Sequence, residues 1–164
     1  PFQLIFWFVH LQRSSNRSSS MTFLCKRSCR KVKFYMSTET DFRAWAEYAE
    51  ADYDAACTML RRRRPLNNHA CYCSQQCAEK YLKAMLVFRG VVVPRTHDLI
   101  RLSELCASVG ILVAVDLKNL NTLSEYAIAA RYPGDAPNTE EARDALTVAK
   151  AVRRFSRKYL GLTK

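Results

Sequence analysis

The sequence predicts an all-α protein, an antiparallel up-and-down bundle of about five helices. Three observations lead there. After Met36, apolar residues recur at three-to-four spacing in five successive segments. Proline and glycine fall between those segments and not inside them. Finally, no segment alternates apolar and polar residues as a half-buried strand would, apart from a short apolar run at 91–93. The composition agrees: 49% hydrophobic and 25% charged residues over 164 positions suit one globular domain, and 4 Gly with 5 Pro exclude collagen-like or linker-dominated chains. No apolar run approaches the roughly 18–20 residues that span a bilayer.

The first helix is expected over about 40–62, with Trp45, Ala49, Asp52, Ala56 and Met59 or Leu60 on one face. Thr38 followed by Asp41 reads as a capping-box-like start, and Pro65 with Asn67 and Asn68 ends the pattern. The second is expected over about 69–89. Its stripe is Ala70, Cys73, Cys77, Tyr81, Ala84 and Phe88, widened by Leu82 and Met85, and Gly90 stands where a left-handed cap belongs. Pro94 pushes Val93 out of helical geometry, so 91–94 should be extended.

The third helix should start on Thr96 as N-cap, with Asp98 in its first turn to suit the dipole, and should close at Gly110. Leu99, Leu102, Leu105, Cys106 and Val109 form its stripe. The fourth, over about 115–131, turns Leu117, Leu120, Leu123, Ala127 and Ile128 inward and stops at Pro133-Gly134. A fifth begins after Asn138 or Thr139, with Glu140 and Glu141 in the first turn. Ala142, Ala145, Leu146, Ala149, Val152 and Phe155 face its core, and Arg153, Arg154, Arg157 and Lys158 gather towards the C-terminal end.

The formal net charge of +11 is unevenly distributed. Residues 1–35 hold seven Lys or Arg and no acid, hence +7, which leaves +4 for 36–164. The first 35 residues open with PFQLIFWFVH, pass through RSSNRSSS and end in a basic patch, with no sustained period. We expect them to be an N-terminal extension outside the functional domain, with 36–164 as that domain; a targeting segment and a basic arm are the alternatives. Bulk charge is therefore no argument for nucleic acid. The run Arg61–Arg64 is weighed separately. It closes the first helix, where cations suit the dipole, and solvation is the usual fate of such a run; contact with RNA is the alternative.

The seven cysteines do not form a disulfide framework in a chain with a full apolar core, and free thiols in a reducing cytosol are expected. Cys71, Cys73 and Cys77 lack a second ligand pair at zinc-like spacing. Cys73 and Cys77 share a face and read as small core residues, while Cys71 points elsewhere. No metal or cofactor is expected.

No phosphate loop, HExxH or GxSxG is present. What remains is a polar constellation. Gln76, Lys80 and Lys83 fall at i, i+4 and i+7 on one face of the second helix; His97 and Asp98 open the third; Arg131 and Tyr132 end the fourth. Each has a plain structural alternative: Glu79 and Lys83 as an i,i+4 pair, Asp98 as a dipole partner, Arg131 as a cap for helix carbonyls.

Three stretches carry a resemblance: ACYCSQQCAEKYLKA (70–84), PRTHDL (94–99) and ARYPGD (130–135). In order and spacing they resemble the HEPN domain, a small helical domain named for its occurrence in higher eukaryotes and prokaryotes and for nucleotide binding. The likeness covers about 40–158. It implies a helical bundle that commonly dimerises and that often partners a small nucleotidyltransferase, frequently as a toxin–antitoxin pair. It also implies a nucleotide or RNA phosphate held by Gln76, Lys80, Lys83, His97, Asp98, Arg131 and Tyr132. A metal-independent ribonuclease using His97 with Arg131 is the alternative. The ribonuclease pattern of the superfamily, Arg then His after four to six residues, occurs here as Arg64 and His69, across the first interhelical turn. Cys73 stands where the family more often has His. The expected protein is thus a cytoplasmic, homodimeric phosphate-binding module with no membrane segment.

Overall fold

The computed structural model describes residues 41–129 and 136–162. The expectations placed on 1–35, on Met36 and Thr38, and on Arg131 and Tyr132 lie outside the described residues. Five helices follow in order: α1 Phe42–Arg61, α2 Asn67–Phe88, α3 Leu99–Ser108, α4 Leu117–Ala129 and α5 Thr139–Tyr159. No strand occurs among the described residues, and 91–94 forms no ladder.

α2 is the central helix and packs against all four others. It is buried nearly all round: Ala70, Cys71, Ala78, Leu82 and Leu86 are inaccessible, and so are Ser74, Gln75, Glu79 and Lys83 to within a few per cent. A single apolar stripe therefore understates it. Cys71, expected to point elsewhere, is in the core, whereas Cys73 is only half-buried. Phe88 is 47% exposed, but its ring still meets Phe42 edge-on at 5.0 Å and Tyr159 at 5.8 Å. On α4, Leu120, Leu123 and Ala127 face inward as expected, but Leu117 and Ile128 do not (49% and 59% exposed). They fall on the helix's outer edge, where none of the other described helices covers them.

The caps explain the boundaries. Asp41 is the N-cap of α1, its carboxylate accepting the Arg43 N–H at 2.9 Å. α2 begins two residues earlier than its apolar pattern suggested, behind Leu66, which offers no side-chain cap. Gly90 adopts φ +73° and ends α2: its N–H reaches the Val87 carbonyl, and the Val91 N–H reaches Leu86. For α3 the cap is Asp98, not Thr96. The Asp98 carboxylate accepts from Ile100 and Arg101 N–H at 2.9 and 3.1 Å, and the Thr96 hydroxyl supports Asp98's own N–H from outside. α5 opens on a complete capping box, in which Asn138 accepts from Glu140 and Glu141 while Glu141 accepts the Asn138 N–H.

Glu50 ties three helices together. Arg153 of α5 grips it with two bonds of 2.9 and 2.7 Å, Arg157 adds a contact at 3.0 Å, and the Tyr81 hydroxyl of α2 donates to it. Burial acts to raise the Glu50 pKa, yet these donors hold the carboxyl below its ordinary value.

Candidate functional site

The turn at Gly90 sends the chain back along the end of α2, so that 91–97 lie beside the last turns of that helix. This brings His97 to Glu79, 18 residues earlier. Glu79 is 3% exposed and is surrounded by donors. Lys83 Nζ donates to its Oε1 at 2.8 Å, and Gln75 Nε2 to Oε2 at 3.0 Å. His97 Nδ1 lies 3.1 Å from both oxygens. An ionised carboxylate only accepts, so Nδ1 carries the proton and Nε2 faces away from the carboxylate. Gln75 also donates to the His97 carbonyl at 3.2 Å, which fixes the backbone behind the ring. Burial alone would raise the Glu79 pKa; the bonds from Lys83 and Gln75, with the Lys83 charge, outweigh it, and the carboxyl lies below its ordinary value.

Lys83 is itself nearly enclosed, with its ammonium 5.5 Å from the centre of the Trp45 ring. The His97 side chain is the opposite, 76% exposed. An accessible imidazole is thus held in one orientation by a buried ionic cluster. Such clusters cost desolvation energy and are weak contributors to stability.

Beside this cluster lies a cleft of ≈ 580 Å³. Its walls are Trp45, Val87, Val91, Val93 and Pro94, and its polar groups are Lys83, Arg95, Thr96 and His97. An aromatic and aliphatic wall facing a few cations suits a ligand with a flat apolar part and an anionic part.

The expected residues divide accordingly. Lys83 and His97 reach the cleft. Gln76 and Lys80 do not line it, but belong to the same polar chain: Asp52 pairs with Lys80, Lys80 donates to Gln76 at 3.3 Å, and Gln76 donates to Gln75 at 2.8 Å. Lys80 and Lys83 are therefore each matched by a carboxylate, and the local charge of the four groups sums to zero. Asp98 points into the α3 cap. Arg64 and His69 are exposed across the α1–α2 turn, away from the cleft. Among the described residues no three His, Cys, Asp or Glu gather as a metal site, and no helix is long and apolar enough to cross a membrane.

Residues 42–159 match the HEPN domain family, from the start of α1 to the end of α5. The chain belongs to that family. As a HEPN protein it is similar to a solved structure from Thermus thermophilus, the protein TT1696. The two share 28% identity with a TM-score of 0.58, over 71% of this chain and 96% of that one. No curated protein shows significant similarity.

Three residues at the cleft and its buried cluster, Glu79, Trp45 and Arg95, are not among those the sequence singles out for the site. Glu79 enters the sequence reading only as the i,i+4 partner of Lys83, and nothing in that spacing says that the pair is buried. Trp45 looked like a core residue of α1. Arg95 lies next to the expected His97 in the PRTHDL stretch, and its adjacency was the available signal.

Proposed function

We propose that this HEPN chain is a nucleotide- or RNA-phosphate-binding module that works as the helical partner of a small nucleotidyltransferase in a toxin–antitoxin-type pair. The cleft supports the reading most directly. Trp45 offers a flat face for a base. Arg95 and the fixed His97 imidazole offer cationic or donor groups for a phosphate. Lys83, already neutralised by Glu79, contributes through position more than through net charge. Arg131 and Tyr132 join the proposal by the family resemblance of ARYPGD. A homodimer is part of the proposal, with Val92 (91% exposed) and Phe88 as apolar surface close to the cleft.

Calorimetric titration of nucleoside mono-, di- and triphosphates into the full-length protein tests this. Binding that falls at least tenfold in Arg95→Ala and His97→Ala supports the cleft. Absence of binding, with no effect of either variant, would favour a purely protein-binding role. Incubation with RNA in the absence of metal, using Arg131→Ala and His97→Ala as controls, addresses the ribonuclease alternative. Cleavage lost in both variants would replace the binding-module reading.

A further inference from the structure

We propose that the α1–α2 turn, built on Arg61–Arg64, is a docking surface for single-stranded RNA, separate from the cleft. All four arginines are exposed, and among the described residues none has an ion-pair partner. Lys80, Lys83, Arg153 and Arg157 each meet a carboxylate; other cations without an ion pair, such as Arg43, Arg89 and Lys118, are scattered singly, whereas Arg61–Arg64 are consecutive. The sequence supplies no carboxylate from 55 to 78; the acids brought nearest are Glu140 and Glu141 of α5, whose Thr139 accepts from Asn67 at 3.3 Å, and Glu141 is engaged in its own capping box.

The end of α1 does not absorb this charge. A helix C-terminus presents about half a negative charge, which compensates one cation in part and leaves most of a four-fold excess in place. Arg61 is the last residue of α1 and Arg62 its cap in extended geometry, and the Leu66 N–H closes the bend on the Met59 carbonyl at 3.2 Å. The bend fans Arg62, Arg63 and Arg64 around a concavity of ≈ 480 Å³ with no other lining residue. Guanidinium forks held side by side suit consecutive phosphates better than one isolated anion.

Leu66, His69 and Tyr72 follow at three-residue spacing, and all three are exposed. Tyr72 stands about 8 Å up the α2 axis from Asn67, within reach of a base whose phosphates lie on the arginines. Phosphate forks beside an accessible aromatic ring are what an unpaired strand uses and what an acidic peptide does not need. The turn is at the far end of α2 from the cleft: Asn67 and Lys83 are about 24 Å apart along the helix. Failure at one site therefore leaves the other untouched.

The test is fluorescence anisotropy of a labelled oligouridylate with the full-length protein across a potassium chloride series. Because 1–35 also carries basic residues, the informative quantity is the difference between variants. Replacing all four arginines (R61Q, R62Q, R63Q, R64Q) should reduce the salt slope by about 3, close to 0.7 per lost contact. The corresponding set R61K, R62K, R63K, R64K should keep the slope. Tyr72→Ala should weaken binding roughly 5- to 100-fold at constant slope. Circular dichroism melts check that each variant is folded. No RNA binding by the wild type overturns the proposal, as does an unchanged slope in the glutamine set or a slope lost in the lysine set as well. Displacement of the RNA by oligoglutamate as effectively as by unlabelled oligouridylate would assign the surface to an acidic protein segment.

Discussion

Replacing Glu79 by Gln should be among the most destabilising polar substitutions in this domain. In the native bundle the carboxylate neutralises Lys83, whose side chain is 8% exposed. The variant amide keeps the shape but removes the charge. Lys83 then retains the Trp45 ring at 5.5 Å, a contact of about 0.5–2 kcal/mol. That does not compensate a buried ammonium, and breaking such a pair from one side costs about 3–5 kcal/mol. The double replacement Glu79→Leu with Lys83→Met removes both charges, and pairs replaced in this way are often neutral or more stable. It should therefore cost less than Glu79→Gln alone, although Gln75 and His97 still lose a partner. Equilibrium urea unfolding of the full-length protein, followed by circular dichroism, measures both variants against the wild type. A Glu79→Gln cost below about 1 kcal/mol, or a double variant that costs more than Glu79→Gln, would refute the reasoning, because an unpaired Lys83 would then not be the source of the loss.

Further outcomes follow from the same structure. Glu50 and Glu79 both lie below their ordinary pKa in the folded state, so their stabilisation is complete above the unfolded value near 4.3 and is lost as pH falls through the folded values. Urea midpoints should therefore drop on acidification below about pH 4.3, less steeply in Glu79→Gln. Gly90→Ala meets no atom within 4 Å, so its cost is that of φ +73° alone, about 1–2 kcal/mol by the same unfolding assay. Asp98→Ala removes two cap bonds from α3 and should cost about 1 kcal/mol. Burial raises the Cys71 thiol to about 11 and Cys106 to about 12, and raises Cys77 further. Cys71, Cys77 and Cys106 should thus resist alkylation in the native protein, while Cys57 and the half-buried Cys73 react earlier.

The helices were legible because they obey local rules. Three-to-four spacing marked all five, Gly90 and Gly110 marked two ends, and Asn138 with Glu140 and Glu141 marked the start of α5. Local rules also failed in specific ways. Thr96 and Asp98 are both good caps, and only the path of the chain from Pro94 decides for Asp98. Cys71 and Cys73 differ in burial because α2 is enclosed by four neighbours, which no single-helix pattern contains. For the same reason the i,i+4 spacing of Glu79 and Lys83 does not reveal that the pair is buried. Leu117 and Ile128 looked buried because apolarity was their only signal, yet among the described residues none covers that side of α4. The His97–Glu79 contact joins positions from two motifs, and their shared chemistry appears only once the Gly90 turn has folded one onto the other.

Titration of a nucleoside monophosphate into isotopically labelled full-length protein, followed by NMR, tests the cleft most directly. The account predicts saturable shifts concentrated on the Trp45 indole, the Arg95 and His97 signals and the methyls of Val91 and Val93, lost in His97→Ala. Shifts confined to the Arg61–Arg64 turn, or none at all, would contradict it.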